Sequence, residues 1–143
     1  AALGLGARVK FAGAVENEAL PAYLNAADLY VTSSLSDGTS LSLLEALACA
    51  LPVVATDVPA NLEWIAEGIN GRVVPREEPE RLAAAVNGLL EDEELMRRMG
   101  QSNLELARAR ADWERNFDEL EQLYQSLHSS RDPVKDKGEE SID

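Results

Sequence analysis

SSLSDGTSLSLLEALACALPVVAT, Ser33–Thr56, is the stretch that decides how this chain folds. A loop of small hydroxyl residues with one glycine leads into a Leu- and Ala-rich run, and that run ends at a β-branched segment, Pro52–Thr56. The spacing predicts a helix over Ser40–Ala50 feeding directly into a strand. Within Leu41–Leu51 the only polar side chains are Ser42 and Glu45. On a helical wheel Leu41, Leu44, Ala48 and Leu51 share one face, with Glu45 at its edge, and the remaining faces are also mostly apolar. A helix apolar all round is expected to be buried, and an unpartnered buried carboxylate costs several kcal/mol. Glu45 is therefore expected to meet a donor, a solvated cleft or a ligand. The purely architectural alternative is a capping box, Ser42-x-x-Glu45, closing the helix start on itself.

Outward from this stretch, short apolar segments alternate with helical patterns. Arg8–Ala12, Leu29–Ser33, Pro52–Thr56 and Gly71–Val74 read as strands, about four in all, with helices at Asn17–Ala26, Ser40–Ala50 and Ala60–Glu67 between them. Such alternation predicts an α/β fold: a partial, doubly wound parallel sheet covered on both faces. Beyond it come C-terminal helices at Glu78–Leu90, Glu93–Arg110 and Asp112–Leu127, with Pro79 tolerated in a first turn and Gly100 a weak point. The last segment, SSRDPVKDKGEESID, has almost no bulky apolar residues and is expected to be a disordered acidic tail at 129–143, leaving 1–128 as the folded domain.

A chain of 143 residues suits one domain with a real core. Thirteen basic residues against 26 acidic ones give a net charge of −13, which opposes long-range attraction to nucleic acid or to an anionic membrane surface. No apolar run reaches the roughly 18 residues a membrane span needs. The N-terminus, AALGLGARVKF, lacks a secretory signal's layout and starts without Met, so the sequence reads as a cytoplasmic piece of something longer. A lone Cys49 excludes an internal disulfide and reads as a small buried residue rather than a reactive thiol. With a lone His128 it leaves no zinc-type cluster, so no metal and no cofactor are called for. Trp64 reads as a helix residue packed beneath the sheet edge, and Trp113 and Tyr124 occupy positions on the last helix that suit core packing. Asn61 and Glu63 follow a strand and could reach a cleft there, or simply cap a helix.

The loop SDGTS places Gly38 and small hydroxyl residues between a strand end and a helix start, where free backbone N–H groups and the helix dipole form a natural anion site. Open parallel sheets bind ligands at that edge. Asp37 falls on the same rim, unless it is only the turn-former of Ser-Asp-Gly. A helix start, a small loop and two carboxylates, Asp37 and Glu45, suit a molecule bearing both phosphate and hydroxyl groups, such as a nucleotide sugar.

DGTSLSLLEALACALPVVAT resembles the signature of the retaining glycosyltransferases of the GT-B fold, in the large family numbered four, whose pattern is Glu-Gly-Phe-Gly-x-x-x-x-Glu-Ala-x-Ala followed by a Pro-Val-Val-Ala strand. VKFAGAV, LPAYLNAADLYVTSS, TDVPANLEWI, GRVVPREEPERLAAAVNGLL and DWERNFDELEQLY resemble that family's other donor-domain elements in order, over about Leu5 to Leu127. The resemblance implies a Rossmann-like donor domain of a cytoplasmic enzyme of polysaccharide biosynthesis. It implies that Glu45 holds the ribose hydroxyls of a nucleotide-diphosphate sugar, that the backbone N–H groups of Thr39, Ser40 and Leu41 beside Gly38 face its phosphates, and that Val15 lies against the base. Asp37 matches the pattern's first Glu, beside the transferred sugar, and Thr39 and Ser40 replace its Phe and Gly.

In that family two more strand–helix units, bearing an Arg and a Lys for the phosphates, and an acceptor domain precede this region. Here no Lys or Arg occurs from Phe11 to Gly71, against eight acidic residues, so the cations are expected from another segment. The fragment alone is expected to transfer no sugar. In the doubly wound strand order the segment Arg8–Ala12 takes a place normally separated from Leu29–Ser33 by two strands, and direct parallel pairing of the two is the expected way to close that gap. A non-catalytic nucleotide-sugar-binding or regulatory module of the same fold is the alternative reading. A phosphorylation-controlled doubly wound domain is disfavoured by the lack of an early acidic pocket.

Overall fold

Val53–Thr56 is the centre of the fold: each of its four residues is buried, and a β-branched run with both faces covered is what an interior parallel strand requires. The computed structural model describes residues 4–129. Of the tail expected at 129–143, only Ser129 is among them, as the last residue of a helix. The elements are α1 (Leu20–Asn25), β1 (Tyr30–Thr32), α2 (Leu41–Ala48), β2 (Val53–Thr56), α3 (Pro59–Leu62), β3 (Gly71–Val74), α4 (Pro79–Leu90), α5 (Glu93–Arg110) and α6 (Trp113–Ser129). The three strands form one parallel sheet in the order β1-β2-β3, with Tyr30 opposite Val53 and Val53 opposite Gly71. The α/β class and parallel sheet are as expected.

Alternation along β2 divides the core in two. Val53 and Ala55 join Leu43, Leu47, Ile65 and Ala107 on one side, while Val54 joins Val74, Leu89 and Met99 on the other. Helix α5 serves both sides: Met99 lies in the second cluster and Ala107, two turns on, in the first. Full burial of a Leu such as Leu43 or Leu47 contributes about 1.5–3 kcal/mol.

Three expectations need correction. Arg8–Ala12 is not a strand and does not pair with β1; the stretch is irregular, turns on an Arg8 N–H bond to the Leu5 carbonyl at 2.8 Å, and leaves Phe11 93% exposed. Parallel strands are ordinarily covered on both faces, whereas Arg8–Ala12 are exposed throughout. Among the described residues the sheet thus has three strands, not four. Second, α2, whose faces are all mostly apolar in sequence, is not buried all round: it buries Leu43, Ala46 and Leu47, an i, i+3, i+4 stripe, while Leu41 is 75% exposed. In a helix so rich in Leu and Ala the periodicity does not choose a face. The choice is made by packing: Leu43 and Leu47 meet Val53 and Ala55 of β2, and the helix then closes with Leu51 N–H bonded to the Ala46 carbonyl and Ala50 N–H to that of Leu47, both at 3.0 Å. Third, α3 stops after Leu62, short of Glu67, because the Asn70 side chain takes over the next backbone groups: it accepts from Ala66 N–H at 2.7 Å and donates to the Trp64 carbonyl at 2.9 Å.

A second unit begins at Arg110 and holds α6. Its apolar side chains recur on one stripe, Trp113, Phe117, Leu120, Tyr124 and Leu127, and all are exposed. Within this unit Trp113 packs on Phe117 with ring centroids 4.8 Å apart, and a single helix has no core of its own.

Candidate functional site at the carboxyl edge of the sheet

Because all three strands are parallel, their carboxyl ends open on the same edge. Ser33–Leu35 follow β1, Asp57 follows β2, and Pro75 and Arg76 follow β3. Leu35, Asp57, Pro75, Arg76 and Glu77 line a cavity of about 380 Å³ there. A second of about 250 Å³ shares Leu35, Pro75 and Glu77 and reaches in to Ser33, Thr56 and Leu82.

The loop from β1 to α2 carries the sequence-expected residues. Asp37, Gly38 and Thr39 are exposed on it, and Ser40 caps the helix with extended backbone, its carbonyl accepting the first helical bond from Leu44 N–H at 3.2 Å. The Ser40 hydroxyl does not turn to the first-turn amides. It pairs with the Ser42 hydroxyl at 2.8 Å, which pairs in turn with the Tyr30 phenol at 2.8 Å. The helix start therefore has no side-chain cap, and its N–H groups keep their partial positive charge for an external acceptor. The capping box Ser42-x-x-Glu45 is not built. Ser42 is the second residue of α2, and three beyond the true cap, Ser40, stands Leu43, whose side chain cannot return the second bond.

Glu45 lies one turn beyond Leu41 and is exposed, on the side of α2 opposite Leu43, Ala46 and Leu47. Of the surroundings expected for Glu45, a donor, a solvated cleft or a ligand, its exposure means that burial alone does not force a partner on it. The Cys49 thiol, one turn further and half-buried, is pushed above its ordinary value first by burial and then by the Glu45 carboxylate. Val15 is half-buried in the irregular stretch ahead of α1, apart in sequence from the other six candidates, which form one continuous path from the loop into the second turn of α2.

Other candidates are architectural. Asn61 is buried and donates from Nδ2 to the Thr56 carbonyl at 2.9 Å, closing the end of β2, and Trp64 packs against the first core cluster. Sequence reasoning missed Asp57, Arg76 and Glu77. One Asp57 carboxylate oxygen, Oδ1, accepts both the Arg76 backbone N–H and its Nε–H, each at 3.0 Å, and Arg76 also donates to the Leu35 carbonyl at 3.3 Å. Glu77, next in line, adopts left-handed backbone with φ 60°. The stretch without cations ends at Gly71, and Arg76 lies only five residues on. The usable signal was its place, two residues past a strand end.

A helix-covered parallel sheet with an open anion-receptive helix start at its carboxyl edge defines a ligand-binding α/β domain of the doubly wound class. Residues 1–105 match the family model described as glycosyl transferases group 1, and the chain belongs to that family. It is 31% identical over 126 residues to an alpha-D-kanosaminyltransferase of Streptomyces kanamyceticus, covering 88% of this chain and 33% of that one. Among solved structures, sucrose-phosphate synthase from Thermosynechococcus elongatus matches with a TM-score of 0.84 at 31% identity, over 89% of this chain and 32% of that one. HepE of Anabaena, in complex with UDP-glucose, matches with a TM-score of 0.78 at 28% identity, over 90% and 34%. The fold is thus the Rossmann-like one of GT-B glycosyltransferases. The chain spans about a third of the length of the curated relatives it matches. Among the described residues no helix is long and apolar enough to cross a membrane.

Proposed function

We propose that this chain is the donor-binding part of a glycosyltransferase that moves a hexose from a nucleotide-diphosphate sugar to an acceptor with retention. The observation that carries the reading is the uncapped start of α2 on the carboxyl edge of the sheet, with Glu45 exposed one turn along. That HepE, of the same fold, is solved with UDP-glucose supports it. In this reading the backbone N–H groups of Thr39, Ser40 and Leu41, beside Gly38, face the diphosphate, Glu45 accepts hydrogen bonds from the ribose hydroxyls, and Val15 lies against the base. Asp37 stands beside the transferred sugar as the catalytic carboxylate of this half.

Helix-terminus amides contribute only about 0.3–1 kcal/mol per charge at an exposed site, too little to hold a diphosphate or to stabilise it as it leaves. The cations and the acceptor therefore belong to an acceptor domain and strand–helix units outside this sequence. The chain by itself binds donor weakly and transfers no sugar, since positioning of acceptor against donor supplies several kcal/mol of the barrier.

Amide chemical-shift mapping of the ¹⁵N-labelled chain with UDP, GDP and ADP tests this. Shifts concentrated at Gly38–Glu45 are expected with at least one of them. A titration that leaves those amides unmoved, or moves only residues away from the carboxyl edge, overturns the reading.

A further inference from the structure

Two successive carbonyls just after β1 are held by side chains from the other two strand ends. Thr56, the last residue of β2, donates its hydroxyl to the Ser34 carbonyl at 2.6 Å, and Arg76, two past β3, donates to that of Leu35 at 3.3 Å. Ser34 is also engaged through its own hydroxyl, 3.2 Å from that of Thr32. Two residues beyond Leu35 begins the Asp37–Leu41 path of the proposed donor site.

Arg76 is itself fixed in direction. Its backbone N–H and its Nε share one Asp57 oxygen, Asp57 N–H is tied to the Val74 carbonyl at 2.9 Å, and the chain turns away immediately afterwards at Glu77 in left-handed backbone. A guanidinium is planar and presents its donors as a rigid fork, so fixing Nε on Asp57 fixes where the remaining N–H groups point. An isolated exposed ion pair is worth little. Here the pair joins the loops after all three strands, and what it supplies is direction.

The geometry points to Arg76 as a positioning residue that, oriented by Asp57, holds the β1–α2 loop in the shape that presents Gly38–Leu41 to a nucleoside diphosphate. This rests on the donor-site reading above. Without the clamp the loop keeps its Thr56 anchor but loses the hold at Leu35, next to the residues that must converge on phosphate.

The test compares Arg76→Ala with Arg72→Ala in the whole chain. Arg72 lies on β3 and forms an ion pair of the same kind with Glu67 at 3.0 Å, away from the loop. Two quantities are read: amide hydrogen exchange at Ser36–Thr39 without ligand, and affinity for UDP, GDP and ADP by shift titration. Arg76→Ala is expected to speed loop exchange about tenfold and weaken diphosphate binding about fivefold, with thermal unfolding close to that of the parent. Arg72→Ala is expected to change neither loop exchange nor binding. Arg76→Lys keeps the charge but lacks the fork, and is expected to behave like Arg76→Ala. Unchanged loop exchange in Arg76→Ala overturns the clamp, as does an equal effect from Arg72→Ala or full rescue by Arg76→Lys. If the unsubstituted chain shows no diphosphate-induced shifts at Gly38–Glu45, the donor-site reading falls instead, and loop exchange alone decides whether Arg76 holds the loop.

Discussion

Gly100→Ala tests how tightly α5 is seated, and intrinsic propensity and packing predict opposite signs for it. On an exposed helix the change would gain about 1 kcal/mol. Gly100 is buried, and a Cβ there would stand 2.2 Å from the Ala50 carbonyl oxygen and 3.2 Å from its carbon. Carbon needs roughly 3.5 Å, so α5 must retreat by about 1 Å. One turn on, Asn103 prevents a free retreat: fully buried, it donates from Nδ2 to the carbonyls of Leu51 at 2.7 Å and Asn70 at 2.8 Å, and accepts from Asn70 Nδ2 at 2.8 Å. A shift of that size breaks or bends bonds worth about 0.5–1.5 kcal/mol each, added to about 1–3 kcal/mol of overpacking. With the propensity gain subtracted, a loss of about 3 kcal/mol remains, a large share of an ordinary domain's stability. Urea unfolding followed by far-UV circular dichroism would show it as a lower midpoint, and Ala50→Gly should return no more to the variant than the about 1 kcal/mol it gives the parent, because the obstacle is a backbone oxygen. A midpoint for Gly100→Ala at or above the parent's would mean that α5 is not held against the Ala50 carbonyl.

Three further outcomes follow from the same packing. Ala50 carries φ 57° where α2 ends, so Ala50→Gly alone should raise the urea midpoint by about 1 kcal/mol of stability, and no gain would contradict the left-handed assignment. Asn103→Ala strands the Leu51 and Asn70 carbonyls in the interior and should cost about 2–4 kcal/mol, measured the same way; a loss under about 0.5 kcal/mol would mean water replaces the side chain. The raised Cys49 pKa makes its reaction with a disulfide reagent slower in the folded chain than in urea at pH 8–9. Since the unfolded chain gives up the proton first, the thiol's contribution to stability is intact below the ordinary value of 9.0 and declines as pH rises past it; equal reaction rates in both states would contradict this.

How far the sequence could be read depended on whether a residue's neighbours were near in the chain. The order of strands and helices from Leu29 to Val74 followed from local pattern alone, and Glu93–Arg110 matched to the residue. Local pattern failed where a segment's partner decides its state. Arg8–Ala12 has strand composition, but the structure gives it no covering layer. The face of α2 was open to choice among almost equally apolar sides, and only the packing shows that Leu41 is exposed. Gly100 looked like a helix weakness because the Ala50 carbonyl it accommodates is fifty residues away. Asn103 gave no warning, since its three bonds are all long-range. Of the site, the loop and helix start were legible as Ser-Asp-Gly-Thr-Ser before an apolar run. Asp57 and Arg76 were not, because only the parallel sheet brings the ends of β1, β2 and β3 to one edge.

Glu45, exposed on α2, is the residue proposed to hold a nucleotide's ribose. Glu45→Gln keeps shape and helix propensity while removing the charge, and should leave the unfolding midpoint unchanged, since the carboxylate is exposed and serves no cap. Loss of a hydrogen bond to a charged group is worth about 1.5–3 kcal/mol, which is at least a tenfold rise in Kd for the nucleoside diphosphate. Titration calorimetry of the parent and Glu45→Gln chains with the diphosphate that moves the Gly38–Glu45 amides decides the matter. A tenfold or greater weakening with unchanged stability is predicted, and equal dissociation constants would contradict the account.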